Sequence, residues 1–226
     1  MYWSEIGAVV LGYLLGAIPF AYLITRWRTG LNIREVGEGN VGARNVWHVT
    51  GPFWGVLAAV LDIAKGLAAV LLARALGASE LGQLLAGPAA IVGHAFPIFL
   101  RFQGGKGAAT LAGVLLAWAP WSTLTGLALF GVAQLFLRDF NRSVVIGFLA
   151  AIVLPPAFGY RWTIGVYALV LSLLLALKKW LDLAHERQVW ARSGWQGDAR
   201  PGWYHEEAAA PEVPASQETP GSAGEP

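Results

Sequence analysis

The sequence predicts an all-α, polytopic membrane protein of about seven transmembrane helices. Three observations predict it. Hydrophobic residues make up 56% of the 226, and mean hydropathy is +0.52, more apolar surface than one soluble core can bury. The apolar residues gather in seven runs, roughly 3–24, 53–76, 81–100, 108–119, 120–137, 143–160 and 162–177. The basic residues avoid these runs and fall almost entirely into alternate connections between them. Backbone polar groups in lipid must be paired within their own segment, so the runs are helices and not strands.

In chain order, the first run carries no basic n-region and continues to about Ile24, so it reads as a spanning helix and not as a cleavable signal peptide. It is followed by a polar, glycine-dense stretch from Gly30 to Gly51, in which Gly37, Gly39 and Gly42 bracket Asn40, with Arg34, Arg44 and Asn45 beside them. The second run holds Asp62 and Lys65, three apart and therefore on one helix face. Ionisable groups inside a span are costly and usually face the bundle interior in pairs. The third ends at His94, ahead of Phe96-Pro97. Gly104-Gly105-Lys106-Gly107 then leads into the fourth run, which Pro120 separates from the fifth. Segments six and seven follow. The stretch 181–205 mixes Trp190, Trp195 and Trp203 with charge and reads as lying at the headgroup level. Residues 206–226 are rich in Ala, Pro, Glu, Ser and Gly and read as a disordered tail. The organisation is thus a transmembrane domain over 1–180, an interfacial segment over 181–205 and a tail.

Orientation follows from Lys and Arg. With the N-terminus outside, thirteen of the sixteen basic residues face the cytoplasm, Arg74 and Arg161 face out, and Lys65 lies within a span. Both glycine-rich loops and the C-terminal tail then share the cytoplasmic face. The absence of cysteine excludes thiolate catalysis, disulfides and cysteine metal sites. The four histidines show no metal-ligand spacing, and neither a hydrolase triad nor a carboxylate pair is visible.

Two loops could bind phosphate. Glycines let successive N–H groups converge on an anion, and arginines add bidentate donors. Gly37, Gly39 and Gly42 spell G-x-G-x-x-G, but a membrane helix precedes them in place of a strand, so a dinucleotide site is rejected. The GGKG cluster is no Walker A loop, because Lys106 is followed by glycine. It stands at a helix start, where backbone N–H groups and one ammonium suit an anion. The plainer readings are a flexible connector for the first loop and a snorkelling lysine for the second. For Asp62 and Lys65 the plainer reading is a structural ion pair, and for His94 a packing residue.

Gly16-Ala17-Ile18-Pro19-Phe20 with Asn32 to Val46, Asp62-Ile63-Ala64-Lys65-Gly66, and Gly93-His94-Ala95-Phe96-Pro97 with Gly104 to Gly107 resemble, in order and with natural spacing, motifs of the bacterial acyl-phosphate:glycerol-3-phosphate acyltransferases. The resemblance covers about residues 10 to 115. It implies transfer of an acyl chain from acyl phosphate to the 1-hydroxyl of glycerol 3-phosphate, giving lysophosphatidic acid in phospholipid synthesis, with no metal or other cofactor. It implies a multi-pass protein of the bacterial inner membrane whose active face is cytoplasmic. Its partners would be those two substrates and the bilayer, with no nucleic acid; oligomeric state is left open.

By the same resemblance Lys106, Arg44 and His185 are the catalytic candidates. Arg34, Gly37, Gly39, Asn40, Gly42, Asn45, Gly104, Gly105 and Gly107 are the substrate- and phosphate-binding candidates, with Asp62, Lys65 and His94 in support. The chain departs from the family pattern at Ala17 (usually serine), Asn32 (aspartate), Glu38 (serine), Arg44 (threonine) and His48 (arginine). Its third motif survives only as Arg142-Ser143-Val144-Val145, with His185 and Gln188 offset by insertions. A diverged paralogue that binds lipid or phosphate, or uses another acceptor, is the second reading. A small-solute transporter is the third, disfavoured because the polar loops lie at one face and not at the midplane.

Overall fold

The computed structural model describes residues 2–193, all of whose regular structure is helical. Five stretches are long and apolar enough to cross a bilayer: Trp3–Thr29, Pro52–Ala75, Glu80–Leu100, Pro120–Leu137 and Trp162–Ser193. Two apolar helices, Ala108–Trp118 and Phe140–Val153, fall short of the ~20 residues that a full span needs. Outward-facing apolar side chains such as Leu135, Phe136 and Trp162 are largely exposed, as a lipid-facing surface requires.

The first run is two helices, α1 (Tyr2–Ala17) and α2 (Phe20–Thr29). Proline has no N–H to donate to the preceding turn, and the ladder breaks at Ile18-Pro19. Arg26 and Arg28 carry α2 beyond the apolar run, until Gly30 closes it in the left-handed conformation with its N–H on the Arg26 carbonyl. Part of the stretch read as loop is also helical: α3 (Ala43–Thr50) runs between Gly42 and Gly51. Pro52 opens α4 (Pro52–Ala75) at a position that has no use for an N–H. Ser79 caps α5 (Glu80–Ala95), while the Glu5 carboxylate of α1 accepts from the Ser79 N–H at 2.9 Å. After α6 (Ala108–Trp118), Pro120 starts α7 (Pro120–Leu137), and Asp139 caps α8 (Phe140–Val153). The sixth run, expected over 143–160, thus starts three residues early and passes at Pro155 into a 3-10 turn. The last helix, α9, is continuous from Trp162 to Ser193, so the boundary expected at 180 falls inside it. Residues 178–193 are good helix formers, and the Lys178–Asp182 ion pair at i, i+4 bridges the point where apolarity ends.

α1 packs on α5 and α4, α4 also on α6, and α7 on α8, with α9 closing against α8 and α6. Val70, Ile91, Leu111, Val114, Leu115 and Leu171 form the core where α4, α5, α6 and α9 meet. A second cluster has Ile24, Ile33, Val41, Val46, Ala58 and Leu100 as members. Three of these, Ile33, Val41 and Val46, come from the glycine-rich stretch itself, so its polar face rests on an apolar floor. One end of the bundle holds Glu5–Ser79 and the Arg161–Glu80 pair. The other gathers the Gly30–Gly42 loop, the 98–107 connection, the start of α8 and the last turns of α9.

Candidate functional site

The Gly30–Gly42 loop is organised from within by Asn45. This fully buried amide accepts from the Glu38 N–H at 2.9 Å and donates to the carbonyls of Ile33 (2.9 Å), Val36 (3.0 Å) and Asn40 (3.1 Å). Asn45 therefore shapes the loop, with both ends of its amide engaged. Gly37 and Gly39 lie at positive φ, and Gly42 stands immediately before α3. A Cβ on Gly39 would meet the Val189 side chain at 2.9 Å, so only glycine lets α9 lie this close. Asn40 contributes its carbonyl to Asn45, and its amide side chain lies against Gly42. Arg34 ties this loop to the next: its Nε donates to Asn32 Oδ1 at 3.1 Å, and its guanidinium also reaches Leu100 O (3.3 Å) and Gln103 Oε1 (3.1 Å).

Glu38 faces inward at 4% exposure. Its carboxylate pairs with Arg44 Nε at 3.1 Å and lies 3.6 Å from His48 Nε2. The negative charge at this position thus has a cation directly against it. Arg44 is held on its other side by the Phe140 ring, 4.7 Å from the guanidinium carbon. Three departures from the family pattern, at 38, 44 and 48, are one contact cluster.

In the second loop the Gly104 and Gly105 N–H groups donate to the carbonyls of Ala95 and His94, both at 3.1 Å. Those two amides close the turn back onto α5. A Cβ on Gly105 would collide with the Val41 carbonyl and His94 Nε2, so glycine here lets the two loops and His94 come together. Gly107, at positive φ, precedes α6. The Lys106 ammonium reaches Glu186 of α9 at 2.6 Å, with the Glu186 carboxylate only 3% exposed.

Asp62, Lys65 and His94 form a buried group below the loops. Lys65 Nζ is 2.9 Å from Asp62 Oδ1 and donates at 3.0 Å to the Ile18 carbonyl, which also accepts from the Phe20 N–H at 3.2 Å in the break between α1 and α2. His94 Nδ1 lies 3.7 Å from the same Asp62 oxygen. These three groups line a small pocket with Gly16, Ala17, Phe20 and Val41.

The last turns of α9 lie over the first loop. His185 Nε2 is 3.3 Å from the Arg34 carbonyl, Trp190 Nε1 donates to the Glu38 carbonyl at 3.0 Å, and Ser193 Oγ donates to the Gly37 carbonyl at 3.2 Å. Every candidate picked from the sequence therefore lies at this end of the bundle or just beneath it. Sequence reasoning missed Glu186, Val189, Trp190 and Ser193 as parts of the site. Asp182, Glu186, Trp190 and Ser193 are spaced by four, four and three, with Val189 three after Glu186, which marks one helix face and was the available signal. Residues 194–226, with the rest of the expected interfacial segment and the tail, lie outside the described residues.

Fold and site together define a helical membrane protein whose glycine-rich loops and cations gather at one end of the bundle. The family model described as glycerol-3-phosphate acyltransferase matches residues 6–188, and the chain belongs to that family. It is 43% identical over 171 residues to a glycerol-3-phosphate acyltransferase of Desulforudis audaxviator, covering 74% of this chain and 84% of that one. Its structure is similar to crystal structures of PlsY, described as an integral membrane glycerol 3-phosphate acyltransferase. The TM-score is 0.72 at 31% identity for the glycerol 3-phosphate form and 0.69 at 29% for the lysophosphatidic acid form. Both matches cover 82% of this chain and 92% of PlsY. The chain is accordingly an acyltransferase.

Proposed function

We propose that the enzyme moves an acyl chain from acyl phosphate to the 1-hydroxyl of glycerol 3-phosphate. The hydroxyl oxygen attacks the acyl carbon, the carbon–oxygen bond to phosphate breaks, and lysophosphatidic acid and inorganic phosphate leave. The observation that carries this reading is that Arg44 and His185 both contact the first glycine loop, through Glu38 and the Arg34 carbonyl, while Lys106 of the second loop pairs with Glu186, the residue after His185 on α9. Acyl phosphate is already activated, so the protein supplies position and charge compensation, and no cofactor is needed. Lys106 and Arg44 offset the charge that grows on the departing phosphate. His185, held by a backbone carbonyl and not by a carboxylate as His48 and His94 are, takes the hydroxyl proton. Asp62, Lys65 and His94 fix the α1–α2 break beneath the substrates.

In this reading seven helices cross the cytoplasmic membrane of a bacterium, with the N-terminus outside. The basic residues at the site end favour the cytoplasm. The test is acyl transfer by the purified protein in lipid, supplied with both substrates and read as lysophosphatidic acid and released phosphate. Lys106→Ala is expected to lower kcat/KM by roughly a hundredfold. An unchanged kcat/KM removes Lys106 from the site, and no product from folded wild-type protein overturns the reading.

A further inference from the structure

We infer that Lys179, on α9, is a third cation of the phosphate site and contacts the terminal phosphate group of a substrate directly. The inference rests on the acyltransfer reading for its choice of ligand, and on the following geometry for its place. Arg44 and Lys106 each have a buried carboxylate against them, Glu38 and Glu186. Lys179 lies within electrostatic reach of both Arg44 and Lys106, yet its hydrogen bond goes to a neutral acceptor, Asn141 Oδ1, at 2.9 Å. Asn141 follows Phe140, the ring that holds the Arg44 guanidinium, so neighbouring residues of α8 seat two of the three cations. Lys179 and Glu186 are seven apart on α9, nearly two full turns, and share its face about 10 Å from each other along the axis. Asp139, the other carboxylate near Lys179, is paired with Arg142 at 3.2 Å.

Three cations against two carboxylates leave the cluster one positive charge in excess, on the residue whose partner is a neutral amide. A phosphate dianion that enters beside Lys179 replaces a neutral acceptor with an anionic one and breaks no ion pair. The same terminal phosphate is offered by soluble glycerol 3-phosphate and by the head of acyl phosphate.

The test compares wild type, Lys179→Met, Lys179→Arg and Asn141→Ala in nanodiscs of zwitterionic lipid. Calorimetry with inorganic phosphate measures binding without turnover, and KM is measured for each substrate separately. Lys179→Met is expected to weaken phosphate binding about tenfold and to raise KM for one phosphate substrate by a similar factor, with kcat changed less than about threefold. A rise confined to glycerol 3-phosphate identifies the soluble ligand; one confined to acyl phosphate identifies the lipid-borne acyl phosphate. Lys179→Arg is expected to restore binding. Asn141→Ala cuts the same hydrogen bond while keeping the ammonium, and is expected to bind phosphate like the wild type. Equal losses in Lys179→Met and Asn141→Ala reveal a purely structural bond and overturn the inference. So does an unchanged Lys179→Met, or an effect seen only when anionic lipid is added. Phosphate binding that depends on Lys179 in a protein without acyl transfer keeps this site and rejects the acyltransfer reading. Acyl transfer indifferent to Lys179 does the reverse.

Discussion

Asn45 shows how one side chain can decide a loop. Its amide oxygen accepts one backbone N–H, and its two N–H donors are shared among three carbonyls that the irregular Gly30–Gly42 path leaves without regular partners. Asn45→Ala strands these buried groups, and we expect a loss of about 3 kcal/mol, read as a lower thermal midpoint in detergent together with lost phosphate binding. Sequence alone placed Asn45 among the phosphate-binding candidates, because an asparagine beside glycines suits a ligand and a loop backbone equally. Only the path of the chain shows which it serves. Glu38 gives the complementary case. As a lone residue in a glycine loop it opposes a bound anion, whereas in the fold Arg44 lies against it at 3.1 Å. Removing either member takes the opposite charge away from a group held in the protein interior. Glu38→Gln and Arg44→Gln are therefore each expected to destabilise, with the double variant milder than the two losses added. A double-mutant cycle on thermal stability should give a coupling of about 1 kcal/mol or more; additive losses would show that the pair is incidental.

At the scale of elements, α9 does two things that its composition separates. Residues 162–177 are apolar enough to be read as a span, whereas 181–193 mix charge with tryptophan and invite assignment to the membrane surface. The structure makes them one helix, whose last turns cover the first loop through Val189, Trp190 and Ser193. Helix α3 was hidden for a related reason. It is eight residues long and bounded by Gly42 and Gly51, so glycine density masked its own apolar positions, Val46 and Val49, both buried. If α9 holds the loop shut, the indole hydrogen bond to the Glu38 carbonyl is part of the latch. Trp190→Phe keeps the packing and deletes that bond, worth about 1 kcal/mol. Hydrogen exchange in residues 33–42 should then quicken roughly fivefold, while exchange in α4 and α5 stays as it was. Equal protection in both proteins would show that packing by Val189 suffices.

Across the whole molecule, what was legible was whatever bulk solvent physics dictates. Apolar runs locate helices, and Pro120 correctly divides two of them. The break at Ile18-Pro19 was not legible in the same way. Proline is tolerated in many membrane helices, and here the break is supported by contacts distant in sequence, the Lys65 ammonium adding a second hydrogen bond to an Ile18 carbonyl that accepts from the Phe20 N–H. The separation of the two ends carries the last prediction. Arg74 and Arg161 are the basic residues of the Glu5–Glu80 end, while thirteen others belong on the side of the glycine loops or to the stretch that follows. Lysine and arginine near the ends of spans resist translocation, so in the proposed topology this imbalance would orient the bundle with the loops inside. The chain has no cysteine, which makes single replacements clean reporters. Ala157→Cys lies at the Glu80 end, whereas Thr29→Cys and Gln188→Cys lie at the loop end, and all three positions are exposed. A membrane-impermeant maleimide applied to intact spheroplasts should modify Ala157→Cys alone and should reach the other two only after permeabilisation. The opposite pattern would invert the topology. Labelling of Thr29→Cys and Ala157→Cys from the same side would mean that one of the short helices, α6 or α8, fails to cross, and the bundle would then have fewer than seven spans.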